Sequence, residues 1–298
     1  MIIDVHQHVF WHGRDDRGLI ADLDEHGIDR AWLLTWEIPP EEDCLSTHSA
    51  LNPCHLRGDG THPGVPLSDV LIARDRYPDR FVVGYCPCPY KGDAPRLLEA
   101  AYRMHGARVC GEWKYQALVD DPRCLNLFRK AGELKMPVVL HFDAPYRPNE
   151  AGEPTYDRLW CGGTVENLDR AMASCPNTVF LGHGPGFWRE ISGDADQAPQ
   201  VYPEGPVTPG GRLSRLFEKR PNLYGDLSAG SGLGALRRDP ANAVDFLTRF
   251  ADQMLFGRDY YGPDLHEFLQ TLDLDQKVRD KIYFKNALRL APPARSPR

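Results

Sequence analysis

The chain has 298 residues, of which 42% are hydrophobic and 26% charged, an ordinary balance for a folded globular protein. A formal net charge of −7 argues against a broad nucleic-acid surface, and no apolar run approaches the roughly 20 residues that span a bilayer. The start lacks the basic-then-apolar pattern of a secretory signal, so a cytoplasmic location is expected, with neither nucleic acid nor membrane as partner.

Met1 to Phe10 is a short apolar run carrying Asp4, His6 and His8. In a β-strand, the two-residue side-chain period puts Asp4, His6 and His8 on one face and Ile3, Val5 and Gln7 on the other. Two imidazoles side by side on a rigid strand end suit a divalent metal, although such a pair taken alone equally fits two surface histidines. Gly18 to His26 reads as a helix and Arg30 to Leu34 as a second strand. Thr35 to Pro66 is long and irregular, the pattern of an insertion (roughly 36–65) or an active-site lid. Within it, Cys44, His48, Cys54, His55 and His62 match no standard zinc-finger spacing and read as an ordinary loop, with a second zinc site as the alternative.

Pro66 to Tyr77 is helical, and Phe81 to Tyr85 is the third apolar run. Asp93 is placed to cap a helix over Ala94 to Met104, whose Leu97, Leu98 and Ala101 mark the buried side. Ala107 to Lys114 is a fourth strand, and Asp121-Pro122 opens a helix that runs through Leu134. Pro137 to His141 and Thr178 to His183 are nearly continuous apolar runs ending in histidine, as parallel strands buried on both faces should be. Between them Thr164 to Cys175 is amphipathic, with Thr164 as N-cap. Leu223 to Asp226 and Met254 to Asp259 supply two further runs, and Gly211 to Lys219, Asn242 to Phe250 and Gln276 to Phe284 are helical. Gly230 to Gly234 reads as a flexible loop. The eight cysteines, with no secretory signal, read as reduced thiols.

Eight apolar runs alternating with helices are the signature of parallel βαβ units. The expected fold is α/β, a distorted (β/α)8 TIM barrel in a single domain over residues 1–298. Extended loops should follow strands five and six, and a doubly wound sheet is the competitor. Barrel enzymes carry their chemistry at the C-terminal strand ends, where His6, His8, His141, His183 and Asp259 all fall. Singly, His141 and His183 read as hydrogen-bonded core histidines. Together, three imidazoles and an aspartate supply the N/O donor set of a catalytic metal site open to water or substrate.

Ile3-Asp4-Val5-His6-Gln7-His8, Pro137 to His141, Leu181-Gly182-His183 and Leu255 to Tyr260 follow one another in the order found in the amidohydrolase superfamily. The chain resembles its amidohydrolase-related ("amidohydrolase 2") branch, which includes aminocarboxymuconate semialdehyde decarboxylase. The closing Lys281 to Leu290 is similar to that branch's last helix. The resemblance implies that His6, His8, His141 and Asp259 are metal ligands, that Asp259 also takes a proton from the attacking water, and that His183 is a catalytic histidine. In members with two metals a strand-four Glu or carboxylated Lys bridges them, which the resemblance carries to Glu112 or Lys114; a Glu112–Lys114 ion pair is the alternative reading of the two residues. One divalent metal is expected, zinc first, with manganese or iron as alternatives and a second metal left open.

Trp36, Tyr146, Phe187, Trp188 and Tyr260 are candidate pocket walls. Lys114 is a further candidate for substrate contact, and Arg189 and Arg258 could pair with a substrate carboxylate. The leading reading is a metal-dependent hydrolase acting through water on a small amide, lactone or related carbonyl compound. Its rival is a non-oxidative carboxy-lyase, and a barrel that binds without turnover is the third reading. No Gly-x-Ser-x-Gly elbow supports a serine hydrolase. The partner is a small molecule, and homo-oligomerisation is left open.

Overall fold

The computed structural model describes residues 1–292. Eight parallel strands follow one another: β1 (Ile3–Gln7), β2 (Arg30–Leu33), β3 (Phe81–Val83), β4 (Cys110–Trp113), β5 (Val138–His141), β6 (Phe180–His183), β7 (Leu223–Asp226) and β8 (Met254–Leu255). Ladders join β1 to β3 and β4 to β8 in chain order, and a Gly84–Val109 bridge joins β3 to β4. The ring closes where the Val5 amide donates to the Phe256 carbonyl at 3.0 Å and the Asp259 amide to the His6 carbonyl at 2.8 Å. The result is a closed (β/α)8 barrel.

The helices of the outer layer are α1 (Asp16–Glu25), α2 (Leu67–Arg76), α3 (Ala94–His105), α4 (Pro122–Glu133), α5 (Val165–Ser174), α6 (Arg212–Lys219), α7 (Ala229–Arg237), α8 (Pro240–Arg249) and α9 (Asp264–Thr271). A last helix begins at Gln276–Asp280, passes through a π-helical turn at Lys281–Lys285 and ends at Asn286–Leu290. Among the described residues no helix is long and apolar enough to cross a membrane. Local chemistry sets several helix starts. Asp15 accepts from the Gly18 amide at 2.8 Å, Asp121 from the Arg123 amide at 2.8 Å, and Asn167 Oδ1 from the Thr164 amide at 3.1 Å. Asp93 precedes α3 as expected but makes no capping bond, because its backbone (φ −105, ψ 7) is not the extended form that turns a cap inward.

One core lies between barrel and helices; the other fills the barrel, with Ile3, Val5, Trp32, Leu34, Val82, Val139, Leu181 and Leu255. The expected alternation on β1 fails at one step. Asp4 pairs with Ala31 and Gln7 with Leu33, so β1 spends one residue more than β2 over this stretch and contains a bulge. Val5 and His6 consequently both serve the interior, while Asp4 and Gln7 lie outside and bond to each other at 2.9 Å. The bulge is what separates Asp4 from the histidines.

Arg258, expected as a carboxylate grip for substrate, is committed to this outer network. Its Nε donates to Asp4 at 2.7 Å and its Nη2 to Asp22 at 2.7 Å, with all three side chains buried. Removing one partner of a buried ion pair strands the other charge and typically costs about 3–5 kcal/mol. Arg258→Ala is therefore expected to lower unfolding stability by about that amount in urea titration; a loss below about 1 kcal/mol, the scale of an exposed pair, would contradict the assignment.

The insertion after β2 is not structureless: Trp36–Glu37 pairs antiparallel with Gly64–Val65 and ties its two ends together. Gly64 has φ +86, and a Cβ there would lie 1.9 Å from the Trp36 carbonyl oxygen, so only glycine fits. The loop after β5 folds into a hairpin, Tyr146–Pro148 with Pro154–Tyr156. The Gly230 to Gly234 segment, expected as a flexible loop, is instead part of α7, where Ser231, Gly232, Ala235 and Leu236 are buried. A buried helix face suppresses the intrinsic cost of its glycines.

Candidate metal centre

Six side chains meet at the C-terminal rim: His6 and His8 from β1, Glu112 from β4, His141 from β5, His183 from β6, and Asp259 just beyond β8. His6 Nε2 stands 3.7 Å from both Glu112 Oε1 and Asp259 Oδ1. His8 Nε2 is 3.5 Å from Glu112 Oε2 and 3.6 Å from Asp259 Oδ1. His183 Nε2 is 3.9 Å from Glu112 Oε1 and 3.8 Å from Asp259 Oδ2. Donors bound 2.0–2.2 Å from a tetrahedral ion stand roughly 3.3–3.6 Å from one another, close to these separations.

The other ring nitrogens explain why the Nε2 atoms face inward. His6 Nδ1 donates to Asp226 at 2.6 Å, His8 Nδ1 donates to the Leu34 carbonyl at 3.0 Å, and His183 Nδ1 bonds Ser228 Oγ at 2.8 Å. Such partners fix the tautomer and leave Nε2 with its lone pair. His6 Nε2, His183 Nε2 and Asp259 Oδ1 are buried without any hydrogen-bond partner. Buried polar atoms almost always have partners, and three orphans converging within one cluster fit the space of a shared cation.

The charges point the same way. Burial pushes His6 down, yet Asp226, Asp259 and Glu112 outweigh it and lift the imidazole to about 10. Burial also works against the Glu112 carboxylate, but Lys114 and the histidines His141, His8 and His6 hold it well below its usual range. His183 is pushed well below the ordinary imidazole value by burial and by His6 and His141, which keeps it neutral. The cluster thus favours positive charge at its centre while keeping a neutral donor at its edge.

His141, expected as a ligand, has both ring nitrogens engaged, Nδ1 with Glu112 and Nε2 with Asp143, each at 2.9 Å. The unpartnered inward nitrogen belongs to His183, expected as the catalytic rather than the ligating histidine. Asp143, Asp226 and Ser228 were not singled out in the sequence. Asp226 had a signal, since it ends the β7 run at the same rim as the histidines, whereas Asp143 and Ser228 lie in loops where no periodicity marks them.

A cavity of about 130 Å³ opens beside the cluster, walled by Trp36, Leu159 and Trp160 and bordered by Lys114, Asp143 and Cys161. Lys114 Nζ lies over the Trp36 ring, 4.6 Å from its centroid. Burial opposes its charge, but Glu112, Cys161, Asp143 and Asp259 hold the ammonium above its usual value. Among the described residues no carboxylate lies within ion-pair distance of Lys114, so the expected alternative of a Glu112–Lys114 pair is not formed. Tyr260 is about half-exposed at the rim, with its ring 5.0 Å from that of His12.

Three other expected contacts are corrected. Trp188 is fully buried, with its indole N–H donating to the Asp226 carbonyl at 2.8 Å, so it supports the strand carrying Asp226 instead of lining the cavity. Phe187 is equally buried, in the outer core. Arg189 donates to the Ala195 and Ala198 carbonyls at 2.5 and 2.6 Å, pinning the loop after β6. In the insertion, His48 bonds Asp43, His55 bonds Asp69, and both ring nitrogens of His62 are engaged, so these side chains stitch the loop together. All eight cysteines are free thiols.

Asp226→Asn tests the support of the first histidine. Loss of an outer partner typically costs about 10–100-fold in metal affinity, and that range is expected here for manganese or zinc by competition with a chromophoric chelator. An unchanged affinity would mean that Asp226 does not set the His6 donor.

A closed (β/α)8 barrel with an inward N/O cluster at its C-terminal rim defines the class as a barrel enzyme of the amidohydrolase superfamily. The model of the family described as Amidohydrolase matches residues 3–291, and the chain belongs to that family. None of the curated proteins matches the sequence. Among solved structures, the 5-carboxyvanillate decarboxylase of Sphingomonas paucimobilis is similar, with TM-score 0.62, 15% identity, and 98% of this chain and 99% of that one covered. A dihydroxybenzoic acid decarboxylase from Polaromonas, solved with bound manganese, gives TM-score 0.58 and 17% identity, covering 97% of this chain and 96% of that one. A probable 2-pyrone-4,6-dicarboxylic acid hydrolase from Acinetobacter baumannii gives 0.53 and 16%, covering 97% and 98%. At these identities the likeness is one of fold.

Proposed function

We propose that the protein is a metal-dependent hydrolase acting through water on a small amide, lactone or related carbonyl compound. The observation that carries this reading is Asp259 Oδ1, buried, without a hydrogen-bond partner, and 3.6–3.7 Å from two imidazole nitrogens. His6, His8, His183 and Asp259 would hold one divalent ion, with Glu112 beside it. His6 belongs to two close donor groups, one with His8 and Asp259 and one with Glu112 and His183, while both nitrogens of His141 are hydrogen-bonded. Zinc is the ion first expected from an N/O set, and the manganese of the Polaromonas enzyme makes that ion the alternative. An ion bound there supplies Lewis acidity toward a carbonyl oxygen and toward water.

The chain's own groups do the rest. Asp259 accepts the proton of the attacking water and passes it to the leaving group. Its backbone is held by the Trp11 indole, which donates to its carbonyl at 2.7 Å, and by its own amide on the His6 carbonyl at 2.8 Å. Asp143 orients His141, which in turn steadies Glu112. Trp36 and Trp160 exclude water from the cavity, and Lys114 meets an anionic group of the substrate.

Lys114 also favours a second reading, a carboxy-lyase. There its ammonium would hold the departing carboxylate while a proton is delivered to the carbon left behind; two of the three solved structures named above are decarboxylases. The two chemistries separate on products. Metal-loaded protein is offered carboxylated phenols, lactones and amides while CO2 and titratable acid are followed together. Hydrolysis yields acid without CO2 from a lactone, and a carboxylate with free amine, read by an amine assay, without CO2 from an amide; stoichiometric CO2 from a carboxylated phenol, with no turnover of the other two classes, would overturn the first reading in favour of the second.

A further inference from the structure

We infer that the protein has a second ligand site, for a small amphipathic anion such as an aromatic or aliphatic carboxylate or sulfonate, at the end of the barrel opposite the metal centre. A cavity of about 450 Å³ lies there, lined by residues that precede β4, β5 and β6 and by the last helix. That volume falls within the range of small-molecule pockets, about 300–1,000 Å³. Leu134, Met136 and Leu290 give it apolar walls, and Arg108, Lys135 and Arg289 give it three cations.

None of the three cations has a carboxylate partner among the described residues. Arg108 donates to the Ala107 carbonyl at 2.9 Å and lies over the Tyr102 ring, 4.8 Å from its centroid. Arg289 donates to the Asp252 carbonyl at 2.7 Å and to the Tyr224 hydroxyl at 3.1 Å. All these acceptors are neutral.

Helix ends supply the ordinary explanation for such cations, because α3, α4 and the last helix all finish beside the cavity. A helix C-terminus carries roughly half a negative charge, so three ends offset about half of the three cations and leave a surplus of about +1.5. In a chain of net charge −7, that surplus beside an apolar wall suits a ligand with one anionic head and an apolar body.

The test is a fluorescence titration of the full chain with 1-anilinonaphthalene-8-sulfonate and with its uncharged relative N-phenyl-1-naphthylamine. Arg108→Gln/Lys135→Gln is compared with the unaltered protein, with circular dichroism and thermal melting to show that both are folded. The proposal expects saturable binding of the sulfonate and at least an about tenfold weaker affinity in the variant, with melting and metal content unchanged. The uncharged dye should bind more weakly to the unaltered protein and equally to both. Absence of saturable sulfonate binding, equal sulfonate affinity in the two proteins, or equally tight binding of the uncharged dye would overturn it. Because the metal centre is untouched by these substitutions, the outcome is independent of the function proposed above.

Discussion

Replacing His6 and His8 together with Ala is expected to abolish stoichiometric metal uptake and to lower turnover by at least about a thousandfold, the scale of several kcal/mol of charge stabilisation. The two imidazoles supply two of the inward nitrogens, and each is held by a group of its own, Asp226 and the Leu34 carbonyl. The barrel interior below them is filled by Ile3, Val5, Trp32 and Val139, which the substitutions leave in place. A folded barrel is therefore expected by circular dichroism, with the metal lost by elemental analysis. A folded double variant that keeps a near-equivalent of metal would show that the ion is bound elsewhere.

Asp259→Asn is expected to be the second most damaging change, lowering kcat by about 10²–10⁴-fold, the usual worth of a positioned general base. Asp259 has φ +60, a left-handed conformation that asparagine also tolerates, so the backbone and its bonds to Trp11 and His6 should survive. The amide oxygen still faces the cluster but no longer accepts a proton. Turnover within about threefold of the unaltered enzyme, with metal replenished, would remove Asp259 from the chemistry, since a general base contributes far more than that.

Much of this was legible from the sequence, because the informative residues end strands. The runs closing on His141, His183 and Asp226 combine a buried parallel strand with a polar residue at its C-terminal end, and eight such repeats favour a barrel over a doubly wound sheet. What period and composition could not supply was the single-residue bulge in β1. A bulge leaves no mark in hydrophobicity, yet it turned Asp4 outward to Arg258 and left His6 inside. The arginine and tryptophan after the rim histidine and before Asp259 misled for a related reason. Arg189, Arg258 and Trp188 have the chemistry of a binding site, but where each points depends on acceptors outside any local pattern: the Ala195 and Ala198 carbonyls in the loop that follows Arg189, and Asp4, Asp22 and Asp226 far off in sequence. The hydrogen bonds that hold His141 and His183 likewise come from Asp143 and Ser228, loop residues that no local pattern distinguishes. In α7 the glycines carried the wrong message because tertiary burial outweighed propensity.

Anomalous diffraction at a metal absorption edge, from crystals of the protein purified without chelator, tests the central claim most directly. A single peak about 2.0–2.2 Å from His6 Nε2, His8 Nε2, His183 Nε2 and an Asp259 oxygen is the predicted result. A peak bound through His141 with His183 outside coordination distance, or no peak at the β1 rim in protein that turns over, would contradict it.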